Sequence, residues 1–314
     1  EKQMKSRFEK ARKALIFWTL WIGLGAVAGA ACMLIDPSGK IMGMDAMLPF
    51  FQKMPLADVL FQNFVFSGIS LLIVNGLTNL TAAVLLLRRK HAGVVLGGFF
   101  GITLMLWICI QFWLFPTNVM STLYFFFGLA QALTGYAAWV FERQETFAVR
   151  REDDPQIGTN PKRLVVYFSR MGYVRRKAFE EAARTGAEVY EIQSAERTEG
   201  TLGFWWCGRY AMHRWPMPIR PVTVDLTAYE HVTICSPIWA FALAAPVRAF
   251  CQAASGKIRE ADYLLVHFNP ASYENAADEM DRLLGLKRTG FRSFVCRTGR
   301  FRERPKKPSA HLPA

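Results

Sequence analysis

The chain has 314 residues, which is enough for two domains that each bury a core. Its formal net charge of +13 is concentrated in three short runs, residues 1–13, 88–90 and 297–308, which argues against a nucleic-acid-binding domain. The six cysteines show no C-x-x-C pair and no metal-ligand spacing, so neither an iron–sulfur cluster nor a structural zinc site is predicted.

Four segments without any Asp, Glu, Lys or Arg follow one another in the first half of the chain. They cover residues 14–35, 64–87, 92–115 and 119–141. Each is long enough to cross a bilayer as a helix, so residues 1–150 are predicted to form a four-transmembrane-helix domain. A cleaved signal peptide would have a shorter apolar part and would not be followed by three more such segments.

The positions of the basic residues predict the orientation of these spans. Lys and Arg flank the N-terminal end of the first span, the turn at 88–91 and the chain after 141, whereas 36–63 and 116–118 hold only Lys40 and Lys53. Because positive charge gathers on the cytoplasmic side, a multi-pass cell-membrane protein with both termini and its soluble domain in the cytoplasm is predicted. Anionic lipid of the cytoplasmic leaflet is the partner expected for these flanks.

Several polar and small residues in the spans predict how the helices pack. Asn75 and Asn79 share one helix face, and we expect such amides to hydrogen-bond between helices, with a transported substrate's site as the alternative. Gly97 and Gly101 have the small-residue spacing that permits close helix approach. The apolar connection 36–63 is interpreted as an interfacial or re-entrant cap. The spans contain neither the histidines of a transmembrane haem nor the ionisable residues typical of a transporter.

The membrane half resembles a small four-helix bacterial membrane family of unknown function. The resemblance rests on a Pro-Phe-Phe outer loop, the stretch Val74-Asn75-Gly76-Leu77 with Asn79-Leu80, and the arginine turn at 88–90. This resemblance supports the predicted topology but indicates no chemical activity.

Residues 151–162 mix charge with proline and lack apolar periodicity, so they are predicted to be a linker. Beyond it, apolar runs predict strands at 163–168, 188–192, 231–236, 261–268 and 291–296, and helices at 174–185, 243–254 and 274–285. This alternation predicts a parallel, doubly wound sheet whose ligand binds at the carboxyl ends of the strands. The aromatic segment 197–216 is compatible with a core-packing helix, a lid or an interfacial anchor.

The stretch from Arg163 to Val174 is the strongest local signal in this half. A buried strand ends at Ser169, a short loop containing Gly172 follows, and a helix begins near Val174. A strand, a phosphate-sized loop and a helix N-terminus make an anion site, although an ordinary βα turn has the same pattern.

Residues 163–296 resemble flavodoxins. The similarity is carried by the strand and loop Val165-Val166-Tyr167-Phe168-Ser169 with Gly172, by Asp225-Leu226-Thr227, by Ser236-Pro237-Ile238-Trp239 and by Ala245-Pro246-Val247. Membership would imply a five-stranded parallel sheet in the order 2-1-3-4-5 that binds flavin mononucleotide (FMN) at three loops. The sequence departs from the family after the fifth strand, where the last helix is replaced by a basic, proline-bearing tail at 297–314.

The resemblance implies cofactor-binding residues in each loop: Ser169, Arg170, Met171, Gly172, Tyr173 and Val174 in the first, Pro237, Ile238, Trp239, Ala240 and Phe241 in the second, and Asn269 in the third. Only Ser169 and Gly172 match the family's phosphate loop, so Arg170 or Arg175 is a candidate replacement for the lost hydroxyl donors. Trp239 is placed to lie against the flavin ring, and Phe241 stands where the family often has glycine. The family's pattern is not apparent at Asn269.

Two functions remain open at this stage. The first is a membrane-anchored FMN protein that takes part in electron transfer at the cytoplasmic face, with a quinone or another membrane redox partner. Flavin would carry that chemistry, so no catalytic residue is assigned and an FMN-dependent oxidoreductase stays one option. The second is a degenerate flavodoxin-like module without flavin that serves as an interaction or regulatory domain. With 17 Lys and Arg against 14 Asp and Glu, residues 163–296 carry +3, which favours a tethered domain over an acidic shuttling carrier.

Overall fold

The computed structural model describes residues 6–297 and 299–304, and the chain divides into two compact units between Glu142 and Arg143. The first unit is built from four long helices: α1 (Arg7–Ile35), α2 (Val65–Leu87), α3 (His91–Leu114) and α4 (Val119–Thr146), whose last four residues belong to the second unit. All four are long and apolar enough to cross a membrane, as the sequence predicted. Within α2, residues Leu72–Leu77 are π-helical.

A network of amides and close glycine contacts joins the helices of the first unit. The Gln131 Nε2 atom on α4 donates to the Asn79 Oδ1 atom on α2 and to the Gly97 carbonyl on α3, both at 2.7 Å. The interhelical role predicted for Asn79 is therefore confirmed. A Cβ atom on Gly101 would lie 2.6 Å from the Gly128 carbonyl oxygen, so α3 and α4 approach closely where glycine permits it.

The connection between α1 and α2 folds into two short helices, Leu48–Phe51 and Ala57–Leu60. The Phe51 ring lies 5.8 Å from the Phe64 ring and 5.3 Å from the Phe115 ring, measured between centroids. Phe64 and Phe115 adjoin the ends of α2 and α3, so the connection packs on the bundle as the predicted cap. Its depth relative to a bilayer stays a prediction.

The second unit contains one sheet of seven strands in the described residues. They are β1 (Asn160–Tyr167), β2 (Ala187–Glu191), β3 (His231–Trp239), β4 (Ala242–Leu243), β5 (Glu260–His267), β6 (Gly290–Arg297) and β7 (Arg300–Glu303). The order is β2-β1-β3-β5-β6-β7, and β4 pairs only with β3. The observed order differs from the predicted 2-1-3-4-5, because β4 pairs only with β3 and β7 is added beyond β6; β2, β1, β3, β5 and β6 are parallel neighbours in a doubly wound sheet.

The prediction of five strands was wrong because two antiparallel strands are added. The turn at Ala240 and Phe241 folds β4 back onto β3, and β7 returns antiparallel to β6 at the sheet edge. Residues 300–303 were predicted to be part of the basic tail. Phe301 is the one apolar residue among them, so the sequence shows no strand pattern there. Residues 305–314 of that tail lie outside the described residues.

Helices cover both faces of this sheet, as the unbroken apolar strands require. Alternation along β1 sends Val166 to one face and Val165 to the other. The Val166 face packs against α7 (Ala245–Ala253) and α8 (Glu274–Leu284), and the Val165 face against α5 (Tyr173–Thr185). The remaining helix, α6 (Gly200–Met212), precedes β3.

No helix follows β6 in the described part of the chain, which runs to residue 304. The α5 side of the sheet is closed instead by Val149, by Ile157 from the predicted linker and by Phe301 from β7. The Phe147 ring joins them, with its centroid 4.9 Å from that of Tyr173 and 6.2 Å from that of Phe301. The stretch predicted as a linker is therefore partly packed on the domain.

Candidate functional site

The carboxyl ends of β1, β3 and β5 lie at one edge of the sheet because these strands are parallel neighbours. The chain leaves β1 toward β2 on one side and pairs with β3 on the other, which makes the β1–β3 boundary the topological switch point. Phe168 and Trp239 follow these strands and meet there edge to face, with ring centroids 5.4 Å apart. A crevice for a ligand is expected at this position.

The loop after β1 forms a tight turn into α5. The Ser169 Oγ atom accepts a hydrogen bond from the Gly172 N–H group at 3.1 Å, and Gly172 adopts a positive φ of 88° as the N-cap of α5. Met171 is half-buried, and the backbone N–H groups of Tyr173 and Val174 begin the helix. Such N–H groups and the helix dipole favour an anion at this end.

Arg170 points to a different partner from the one that the sequence indicated. Its guanidinium is buried and donates from Nε to the Thr198 carbonyl (2.7 Å) and from Nη2 to the Gly200 carbonyl (2.8 Å). Its Cζ atom also lies 5.7 Å from the centroid of the Phe204 ring. These contacts hold the segment that leads into α6, so the Arg170 guanidinium is engaged outside the loop.

The end of α4 and the residue that follows it lie against the same loop. The Gln144 Nε2 atom donates to the Arg170 carbonyl at 2.6 Å. A Cβ atom on Gly172 would lie only 2.8 Å from the Phe147 Cβ atom, so no larger residue fits there without a shift. Sequence reasoning missed Gln144 and Phe147 because they stand in a polar stretch beyond the fourth apolar segment.

The second loop is the hairpin that joins β3 and β4. Trp239 pairs with Ala242, and the two turn residues Ala240 and Phe241 have φ values of +44° and +62°. A two-residue turn with both φ values positive normally uses glycine or asparagine, since other residues cost about 1–2 kcal/mol each in this conformation. The strained turn leaves the Phe241 side chain 69% exposed. Trp239 is half-buried and packs against Cys207 and Met217.

The third loop follows β5 and presents another exposed aromatic ring. Phe268 is 70% exposed. The Asn269 Oδ1 atom accepts a hydrogen bond from the Ala271 N–H group of the same loop at 3.0 Å. Buried His267 contacts the Asn269 carbonyl oxygen and the Ser293 hydroxyl through its two ring nitrogens, and burial lowers the pKa of its imidazole. The sequence prediction included Phe268 in the strand, which ends at His267. An aromatic residue directly after a buried apolar run could have indicated an exposed loop position.

The structure brings the predicted residues of all three loops to this one edge of the sheet. Ser169–Val174 lie at the start of α5, Pro237–Phe241 end β3 and form its hairpin, and Asn269 follows β5. The hairpin and the third loop offer exposed aromatic surface, whereas the first loop offers mainly backbone N–H groups. Within residues 6–297 and 299–304, His, Cys, Asp and Glu form no group that could hold a metal ion.

No protein-family model matches the chain, and comparison with curated proteins found no match. Among solved structures, the C-terminal part is similar to a flavoprotein in complex with FMN from Lactobacillus acidophilus NCFM, at 17% identity and a TM-score of 0.37, covering 43% of this chain and 93% of that chain. Candidate flavoproteins from Bacteroides eggerthii DSM 20697 and Bacteroides uniformis ATCC 8492 match at 23% and 22% identity. Their TM-scores are both 0.38, with 43% of this chain and 88% and 90% of those chains covered. The fold assignment rests on the strand order of the α/β unit itself.

The contacts of Arg170 predict the effect of its removal. Arg170→Met should lower the free energy of unfolding of the full-length protein in detergent by about 1–3 kcal/mol, since the Thr198 and Gly200 carbonyls lose their donors. Hydrogen exchange should rise in residues 197–205. Arg282→Met, on the exposed face of α8, is the control and should leave both quantities unchanged. An unchanged Tm combined with lost FMN binding would place the guanidinium at the phosphate instead.

Proposed function

We propose that the protein binds FMN at the carboxyl edge of its sheet and takes part in electron transfer beside a membrane. The observation that carries this proposal is the pair of exposed rings, Phe241 and Phe268, on the loops that follow neighbouring strands β3 and β5. Large exposed aromatic groups next to a topological switch point are typical of a ligand site. Together with Trp239 they provide apolar walls for a planar ring.

The residues of this edge fit the two ends of FMN unequally. Trp239, Phe241 and Phe268 would hold the ring and exclude water from it, whereas Ser169 and the first N–H groups of α5 would hold the phosphate. When bound, FMN supplies one- or two-electron transfer. His267 is kept neutral by burial, because the charged imidazole is the form that burial disfavours. At the end of β5 the role of His267 is thus structural, and the chain contributes positioning and shielding.

The surface of α6 supports a position at the membrane. Its inward face carries small residues, Gly203, Cys207 and Ala211, which pack on the domain. Its outward face is unusually apolar: Leu202 is 68% exposed and Trp205 is 69% exposed. Tryptophan and leucine beside arginines such as Arg209 suit the headgroup layer, so we assign α6 to an interfacial anchor rather than to the core or a lid.

This placement determines the partners that we propose. The spans α1–α4 tether the domain, and the anionic cytoplasmic leaflet attracts its basic flanks. A domain held at that surface would exchange electrons with a membrane partner, for which a quinone is the apolar candidate.

A flavin-free interaction or regulatory module is the second candidate. It is favoured by the close contact of Phe147 with Gly172 and by the engagement of Arg170 outside the phosphate loop. In that case the exposed rings at the carboxyl edge would contact a protein partner.

The proposed orientation predicts where reporters are found. A reporter fused after Ala314 should be active in the cytoplasm, and one inserted between residues 43 and 44 should be active on the opposite side, because Lys and Arg cluster on one side of the spans. Activity of both reporters in the same compartment would contradict the four-span orientation.

The proposed site predicts which variants lose flavin. Trp239→Ala and Phe268→Ala should each weaken FMN binding by about 1–3 kcal/mol, as loss of an aromatic stacking surface does for nucleic-acid bases. Fluorescence titration of the flavin-depleted full-length protein measures the dissociation constant, and Trp215→Ala on the loop after α6 serves as the control. Absence of saturable binding at tens of micromolar FMN, or an equal loss in the control, would favour the flavin-free module.

A further inference from the structure

The hairpin of β6 and β7 places four arginines on one face. Its antiparallel register pairs Arg297 with Arg300 and Val295 with Arg302, and paired residues point to the same face. Arg304 extends this row, because its backbone N–H donates to the Ser293 carbonyl at 2.8 Å. The opposite face carries Phe294, Cys296 and Phe301, which belong to the core beside α5.

The arginine face borders a cleft of about 350 Å³. The lining consists of the four arginines, Val295, Glu303 and Pro270, the last from the loop after β5. Arg297 connects the cleft to that loop, since its Cζ atom lies 5.6 Å from the centroid of the Phe268 ring. The volume is that of a small-molecule pocket rather than of a site for a single ion.

Three of the four arginines carry a positive charge that is not balanced within the described chain. Arg300, Arg302 and Arg304 form no ion pair with a carboxylate of residues 6–297 or 299–304, and the Arg304 Nη1 atom is buried without a hydrogen-bond partner there. Glu303 is the single carboxylate in the lining, and its register partner Phe294 lies on the core face. Like charges close together on one strand face repel one another, so an anion bound beside Arg300, Arg302 and Arg304 would stabilise them.

We propose that this cleft binds the phosphate group of an organic phosphate. Guanidinium groups match phosphate with paired, charge-assisted hydrogen bonds, and several of them converge here around a pocket larger than the phosphate itself. Strand alternation alone puts these arginines on the solvent face, and the cleft that they line together with Pro270 distinguishes them from arginines that only protect an edge strand. The site is separate from the α5 N-terminus, where the FMN phosphate is proposed to bind, and it adjoins the proposed flavin site through the contact of Arg297 with Phe268.

Calorimetric titration of the full-length protein in a non-ionic detergent with pyrophosphate tests the proposal. Saturable binding is expected, weakening as salt increases. The double variant Arg300→Gln/Arg302→Gln should weaken it by about tenfold or more, because two charged donors are lost. The matched control Arg259→Gln/Arg282→Gln removes the same charge from exposed positions elsewhere in the domain and should keep the affinity of the unaltered protein.

Two results would overturn the proposal: heats that do not saturate, or equal weakening in the control variant. Dihexanoyl phosphatidic acid, with dihexanoyl phosphatidylcholine as its comparison, distinguishes the sources of the phosphate. Binding of phosphatidic acid tighter than that of pyrophosphate identifies a lipid headgroup, and the reverse order identifies a soluble phosphate. The flavin content of the same samples is measured separately, and its absence with intact pyrophosphate binding would count only against the FMN proposal.

Discussion

The pairing of β1 with β3 is the constraint on which the candidate site depends. Five consecutive registers, from Arg163 with His231 to Tyr167 with Cys235, hold these strands parallel and end them at the same edge. The chain then diverges, to β2 on one side and through the β3–β4 hairpin on the other, which is where a ligand crevice is expected in such sheets. Phe168 and Trp239 meet edge to face at this position. A register shift of one residue would send the core side chains to the opposite faces of the sheet and move every loop residue.

Two different kinds of surface meet at this edge. Aromatic side chains dominate the loops after β3 and β5, where the strained turn at Ala240 and Phe241 holds one ring in solvent. Around the first loop, Arg170 and Phe147 are used for packing, and the anion-binding capacity is left to the Ser169 hydroxyl and backbone N–H groups. Most of the proposed flavin affinity would therefore come from contacts with the ring. The fold itself does not require the hydroxyls of the first loop, because packing contacts hold that loop in place.

The sequence was most informative where one physical property acts over a long stretch. Four charge-free segments predicted α1–α4, and five apolar runs predicted the parallel strands, because a membrane-spanning helix and a strand covered on both faces both require an uninterrupted apolar pattern. Short elements were missed: β4 has two residues, and β7 contains one inward-facing aromatic among arginines. Strands of two and four residues are too short to show a detectable apolar periodicity.

The sequence predicted which three loops form the site, but it did not predict the contacts that their side chains make. Arg170 was expected at a phosphate, yet its guanidinium donates to Thr198 and Gly200, residues far along the chain. Phe147 reaches Gly172 from the end of a helix whose apolar stretch had already ended. Contacts of this kind are set by tertiary packing, which local propensity does not encode.

Identification of the small molecule released by denaturing the full-length, detergent-purified protein tests the central claim most directly. If the carboxyl edge of the sheet holds a flavin, the protein should be yellow, and mass spectrometry of the released fraction should find FMN at about one molecule per chain. Protein that is colourless and releases no flavin, even after expression with added riboflavin, would contradict the flavin site.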